Sequence, residues 1–380
     1  MRNETEPAKN GAVEIITASR FFDGAVLRGP TAITLRNGLI QSMEEHDGPC
    51  EHSLLSPGFL DIQMNGFGSV SCAGSAAGVT ASDMAALDSM LLAKGTTRWL
   101  ATLVTDDLSR VVSRADAVRA ASTGAPGCLG VHLEGPFLGS RLGAHDRARV
   151  RPPDISFALS PPAGTLLVTT GAEDSEAPAF IRGLASRGVV VSLGHTAPDR
   201  GRWDACVRAG ASMVTHLFNA MPQVHHRDDS ITLMALVDDR VHLGLIADLV
   251  HVSADAVRLA FAAAPGRVCL VSDSVAWNDA GSRRRGIELR DGAPRLPDGT
   301  LAGSSTALGG CVRNVVNSCG VELAAALGAA TVIPARILGM HDMVTPAPGR
   351  EANLIALDDS LCVTAAWRGL QSVRDLAPLS

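Results

Sequence analysis

The sequence predicts an α/β fold, a (β/α)8 TIM-type barrel with a small β-sandwich domain formed by both termini. Three observations lead there. Eight short apolar runs recur through the middle of the chain, and helix-length segments separate most of them. Both ends hold short β-rich pieces that could not bury a core alone.

Taken in order, Val13–Thr17, Thr31–Arg36 and Leu39–Met43 are rich in β-formers. Asn37-Gly38 between the last two is the signal of a two-residue type I′ hairpin. The apolar runs follow at 58–63, 98–104, 129–134, 165–170, 189–195, 212–216, 241–248 and 268–273. Segments 81–94, 108–121 and 254–264 have the length and composition of intervening helices. Near-continuous apolar strands alternating with helices indicate a parallel sheet covered on both faces. Eight of them in about 220 residues favour a closed barrel over an open doubly wound sheet. No strand–GxGxxG–helix order supports a dinucleotide fold. Near the C-terminus, 352–357 and 361–367 flank an Asp358-Asp359 turn and pair naturally with the N-terminal strands. The expected division is therefore 1–56 plus 346–380 for the small domain and 57–345 for the barrel.

Composition bounds the function. The chain has 380 residues, 46% hydrophobic and 19% charged, enough for a large core and too apolar for disorder. A net charge of −6 without a basic run argues against a nucleic-acid partner. No apolar stretch is long enough for a membrane span, and the polar N-terminus does not read as a signal peptide, so a cytoplasmic protein is expected. Eight cysteines without a CxxC pair read as reduced thiols. Tyrosine is absent and lysine is confined to Lys9 and Lys94, which leaves Arg and His as the cationic anchors.

The chemistry-bearing residues gather at the carboxyl ends of the predicted strands. These are Asp61 and Gln63, His132 and Glu134, His195, His216, Asp248 with His251 just beyond, and Asp273. In a barrel those ends meet on one face, where active sites are built. Two histidines, a glutamate and a terminal aspartate in one bowl form a metal-hydrolase arrangement. His132, His225 and His226 are read instead as hydrogen-bonded or solvated histidines. Glu134 and Asp273, after apolar runs, would be costly buried charges without a cation, with a structural ion pair as the alternative.

The blocks 57–66 (PGFLDIQMNG), 132–137 (HLEGPF), 194–196 (GHT), 215–222 (THLFNAMP), 244–248 (GLIAD), 271–273 (VSD) and 301–304 (LAGS) resemble the N-acetylglucosamine-6-phosphate deacetylases of the amidohydrolase superfamily. The resemblance runs in order from about residue 13 to residue 357. It implies Glu134, His195 and His216 as metal ligands, Asp273 as general base and then general acid, and His145 as a partner for the oxyanion. Gln63 stands where two-metal relatives have the second His of His-x-His, which implies one divalent metal per chain, Zn2+ or Fe2+. The implied substrate contacts are Gln63, Ala144, His145, Asn219, Ala220, Arg227, Asp248, His251, Ala302, Gly303 and Ser304. Arg227 would grip a phosphate in the neighbouring subunit's site, making a homodimer functional, with a small amino sugar as substrate.

Three positions depart from the family pattern, all on the substrate side. Asp228-Asp229 could compete with phosphate for Arg227, Leu249 replaces a glycine, and Trp277 could add an apolar wall. A different, non-phosphorylated amino sugar is therefore an alternative substrate. Ring deamination, cyclic-amide opening and a non-catalytic assembly role are further alternatives on the same barrel.

Overall fold

The computed structural model describes residues 13–75, 78–374 and 376. Residues 1–12, 375 and 377–380 of the expected small domain, Lys9 and the polar N-terminus among them, lie outside the described residues.

Eight parallel strands form one sheet in chain order: Phe59–Met64, Thr96–Val104, Cys128–Glu134, Thr165–Thr170, Val190–Leu193, Ala211–Val214, His242–Ile246 and Val268–Val271. The barrel closes between the first and the eighth. The Asp273 N–H donates to the Gln63 carbonyl at 2.9 Å, and the Asn65 N–H to the Ser274 carbonyl at 2.8 Å. All six residues of the first strand are buried, as a strand covered on both faces requires.

Helices Ala81–Leu92, Leu108–Ala121, Ala177–Ala185, Arg200–Ala209, Ile231–Val237, Ala254–Ala263 and Leu308–Asn317 pack around the sheet. Thr80 starts the first with a capping box: its hydroxyl accepts the Asp83 N–H at 3.2 Å, and Asp83 accepts the Thr80 N–H at 3.0 Å. The third strand instead feeds a long loop that ends in the five-residue helix Ile155–Leu159.

The last four strands are shorter at their carboxyl ends than the apolar runs suggest. The fifth, sixth, seventh and eighth all stop two residues before His195, His216, Asp248 and Asp273. His195, His216 and Asp273 have φ of 53°, 30° and 46°, so the extended backbone turns left-handed there. Hydrophobicity does not encode that turn. The hairpin Glu288–Arg290 with Ala293–Arg295, after the eighth strand, is an element that the apolar pattern did not show.

The two chain ends meet in two further sheets. One joins Val13–Ala18, Thr31–Arg36 and Leu39–Glu45. The other orders Gln371–Val373, Val363–Arg368, Asn353–Leu357, Leu54–Pro57, Phe21–Phe22 and Leu27–Arg28. Ile16, Ile33, Ile40, Leu55, Leu354 and Trp367 belong to one buried cluster that they share. Asn37 and Gly38 take φ of 51° and 73°, the paired positive values of a type I′ turn.

Candidate active site

Glu134 is the last residue of the third strand, buried at the barrel mouth. The turns that carry His195 and His216 bring both imidazoles to its carboxylate. Glu134 Oε1 lies 3.2 Å from His195 Nε2 and 3.1 Å from His216 Nε2, and the two nitrogens are 3.0 Å apart.

The proton positions bear on what this triangle holds. His195 Nδ1 faces the Arg141 carbonyl at 3.0 Å, an acceptor only, so that nitrogen carries the hydrogen. In the neutral ring Nε2 then turns a lone pair toward the Glu134 oxygen. Two lone pairs face to face repel, and a cation among the three atoms removes the conflict. Donor atoms each about 2.0–2.1 Å from a zinc ion lie roughly 3.3 Å apart in a tetrahedral set, close to the spacing here. The site therefore fits a divalent metal, with the His195–Arg141 bond fixing one ligand's tautomer.

Asp273 stands opposite. Its Oδ1 accepts from Asn65 Nδ2 at 2.8 Å and Gln63 Nε2 at 3.3 Å, while Gln63 also donates to Glu134 Oε1 at 3.1 Å. Burial and then the Glu134 charge push the Asp273 pKa up to about 7, where it can both take and return a proton near neutrality. Burial alone would raise Glu134 as well, yet the facing His195 and His216 rings hold it well below the carboxylate range. His145 lies edge-on to His195 with ring centroids 4.3 Å apart, and its Nδ1 is 2.8 Å from the Thr105 hydroxyl. Burial, followed by the neighbouring His195, drops its pKa to about 3, so His145 is neutral. One ligand atom each from Glu134, His145 and His195 falls within 4.8 Å of the others.

A cavity of about 780 Å³ opens over this cluster. Ala144, His145, Asn219, Ala220, His251, Ala302 and Gly303 line it. Gln63 sits behind it, bonded to the two carboxylates. Asp248 also sits behind, its carboxylate accepting His251 Nδ1 at 2.7 Å and thereby orienting that ring. Burial would raise the Asp248 pKa, but the His251 bond and two backbone N–H groups bring it down to about 2. Ser304 is fully buried, and its N–H donates to the Asp273 carbonyl at 2.9 Å, which makes it a support for Asp273.

The three departures fall as follows. Arg227 is exposed, outside its own chain's cavity, with Nε donating to His226 Nε2 at 3.1 Å. Asp228 pairs with His225 at 3.1 Å and Asp229 accepts the Arg200 N–H at 2.9 Å, so both carboxylates are engaged elsewhere. Leu249 takes φ of 64°, a left-handed conformation that favours glycine. Trp277 packs edge-on against Phe67 at 5.7 Å and is not among the residues lining the cavity.

Sequence reasoning missed two residues. Asn65 is two positions after Gln63 and so shares its face of the chain, a period-2 signal that was available. Glu173 accepts the N–H groups of Ser140 at 2.9 Å and Ala197 at 2.8 Å, tying the His145 and His195 loops together. No local pattern announces it.

A closed parallel barrel whose mouth holds a carboxylate, two imidazoles and an opposing aspartate defines a hydrolase of the amidohydrolase superfamily, acting on amide bonds. No protein-family model matches the chain. The N-acetylglucosamine-6-phosphate deacetylase of Bos taurus is 34% identical over 341 residues, 84% of this chain and 83% of the relative. The N-acetylgalactosamine-6-phosphate deacetylase of Escherichia coli O157:H7 is 33% identical over 335 residues, 83% of this chain and 86% of its own. A solved mutant of the N-acetyl-D-glucosamine-6-phosphate deacetylase from Mycobacterium smegmatis, in complex with N-acetyl-D-glucosamine-6-phosphate, superposes with a TM-score of 0.86 at 28% identity. That match covers 96% of this chain and 100% of the other. The chain belongs to the N-acetylglucosamine-6-phosphate deacetylase family.

Proposed function

We propose that this protein hydrolyses the acetamide of N-acetylglucosamine 6-phosphate to glucosamine 6-phosphate and acetate, with one divalent metal, zinc or ferrous iron, held by Glu134, His195 and His216. The observation that carries this reading is the 3.0–3.2 Å triangle of those three ligand atoms, with Asp273 opposite. When bound, the metal polarises the acetamide carbonyl and acidifies a water molecule.

The chain's own groups manage the proton. Asp273 removes a proton from the attacking water as its oxygen bonds to the acetamide carbon, while Gln63 and Asn65 hold the carboxylate in place. With the Thr105 hydroxyl donating to its Nδ1, the neutral His145 keeps its hydrogen on Nε2 and donates it to the oxygen that gains charge. Asp273 then passes the proton to the nitrogen, the C–N bond breaks, and acetate and the free amine result. Asn219, Ala220, Ala302, Gly303 and His251, oriented by Asp248, contact the sugar.

The proposed assembly is a homodimer in which the exposed Arg227 reaches the neighbouring cavity. Residues 1–56 with 346–380 are proposed as the small domain, and 57–345 as the barrel. Among the described residues no helix is long and apolar enough to cross a membrane, and the eight cysteines are free, which supports a reducing, cytoplasmic setting.

Metal analysis combined with acetate release tests the proposal. About one metal per chain is expected, and Asp273→Asn should retain the metal while losing at least roughly a hundredfold in kcat. A metal-free protein with full activity, or undiminished turnover in Asp273→Asn, overturns it.

A further inference from the structure

Five arginines line the cavity: Arg110, Arg114, Arg149, Arg284 and Arg285. Two of them are neutralised. Arg114 pairs with Asp106 at 2.6 Å, and Arg149 pairs with Asp106 and, at 3.3 Å, with Asp146. The other lining carboxylates are also occupied. Asp279 caps the turn that follows it through the N–H groups of Gly281 and Ser282, and Glu134 and Asp273 belong to the reacting cluster. Among the described residues no carboxylate lies within 4.0 Å of Arg110, Arg284 or Arg285. Lining arginines and lining carboxylates balance in number, but Arg110, Arg284 and Arg285 are held in no ion pair and stay available to an anion.

Arg285 is the best placed of the three. It ends the short helix Ala280–Arg284, its own N–H donating to the carbonyls of Gly281 and Ser282 at 3.1 Å. Ser282 and Ile287, buried on either side, pin this segment to the barrel. Its Nη2 donates to the Ala144 carbonyl at 3.1 Å, one residue before His145. A guanidinium has five N–H donors, so one backbone bond leaves the fork available for an anion.

We propose that Arg285 reads the anionic group of the substrate from within the same chain, with Arg284 and Arg110 adding to the field. The ligand class is a phosphate monoester on the amino sugar, recognised by charge-assisted hydrogen bonds. The inference rests on the deacetylase reading and adds to it a specificity-determining residue besides Arg227.

The test measures kcat/KM for N-acetylglucosamine 6-phosphate and for N-acetylglucosamine in the metal-loaded wild type, Arg285→Gln and Arg285→Lys. The phosphorylated-to-free ratio should fall at least about tenfold in Arg285→Gln, and Arg285→Lys should keep part of it. Inhibition by inorganic phosphate should weaken by a similar factor. An unchanged ratio overturns the proposal, including the case where both sugars slow together, since that would mean Arg285 only steadies Ala144. If the wild type releases acetate from neither sugar, the deacetylase reading fails first. Calorimetric titration of inorganic phosphate then decides on Arg285 separately: equal affinity in wild type and Arg285→Gln defeats it, and weaker binding in the variant upholds it.

Discussion

His132 and Glu134 are two residues apart on one strand, so both side chains point into the barrel, yet one is neutral and the other charged. His132 lies between two hydroxyls, with Nε2 2.8 Å from Thr169 Oγ1 and Nδ1 3.3 Å from Thr102 Oγ1. Burial drops its pKa to about 4, and the ring is neutral at pH 7. A folded-state pKa below the unfolded value means the unfolded chain takes up the proton first. Stability from this group is complete above about pH 6.5 and is lost as the pH falls toward 4. At pH 5 the loss should be roughly 2 kcal/mol. Urea unfolding in chelator at pH 7 and pH 5 checks this: His132→Asn should show a shallower pH dependence than the wild type. A parallel dependence in both proteins would assign the acid sensitivity to other groups.

The turns after the strands do the positioning at the scale of elements. Gly194 precedes His195, and a Cβ there would lie 2.8 Å from both Thr169 Cγ2 and Thr215 Cβ. Both neighbours are β-branched and buried, so they yield little. Gly194→Ala should cost about 1–3 kcal/mol and lower metal occupancy at limiting metal, read by denaturation and by metal analysis. Full occupancy with wild-type stability would mean that the turn adapts freely. The runs of Val, Leu and Ile made the eight strands legible, because a strand buried on both faces needs unbroken apolar sequence. Their ends were less legible. Whether His195 continues a strand or turns left-handed depends on the groups that await it, here Arg141, Glu134 and His216. Glu173 escaped notice for the same reason, since its partners Ser140 and Ala197 come from loops far apart in sequence.

For the molecule as a whole, the strand Val363–Arg368 is fastened to the barrel by a buried ion pair. Arg368 forks onto Asp88, with Nη1 2.9 Å from Oδ1, and also donates to the Thr97 carbonyl at 3.0 Å. Trp99 Nε1 donates to the same carboxylate oxygen at 2.9 Å. Asp88→Ala would strand a buried guanidinium and should cost about 3–5 kcal/mol in chemical denaturation. A loss under about 1 kcal/mol would mean that water reaches Arg368. The meeting of the two termini was legible from their shared β character, but this clamp was not, because nothing near Asp88 or Arg368 in sequence indicates the partner.

The join between the first and eighth strands has its own consequence. Gln63 and Asp273 contribute a backbone bond to that join and side chains to the reacting cluster, so the seam that seals the cylinder is also its workplace. A chain truncated before the eighth strand, Val268–Val271, would lose that closing stitch and the proposed proton carrier in one stroke.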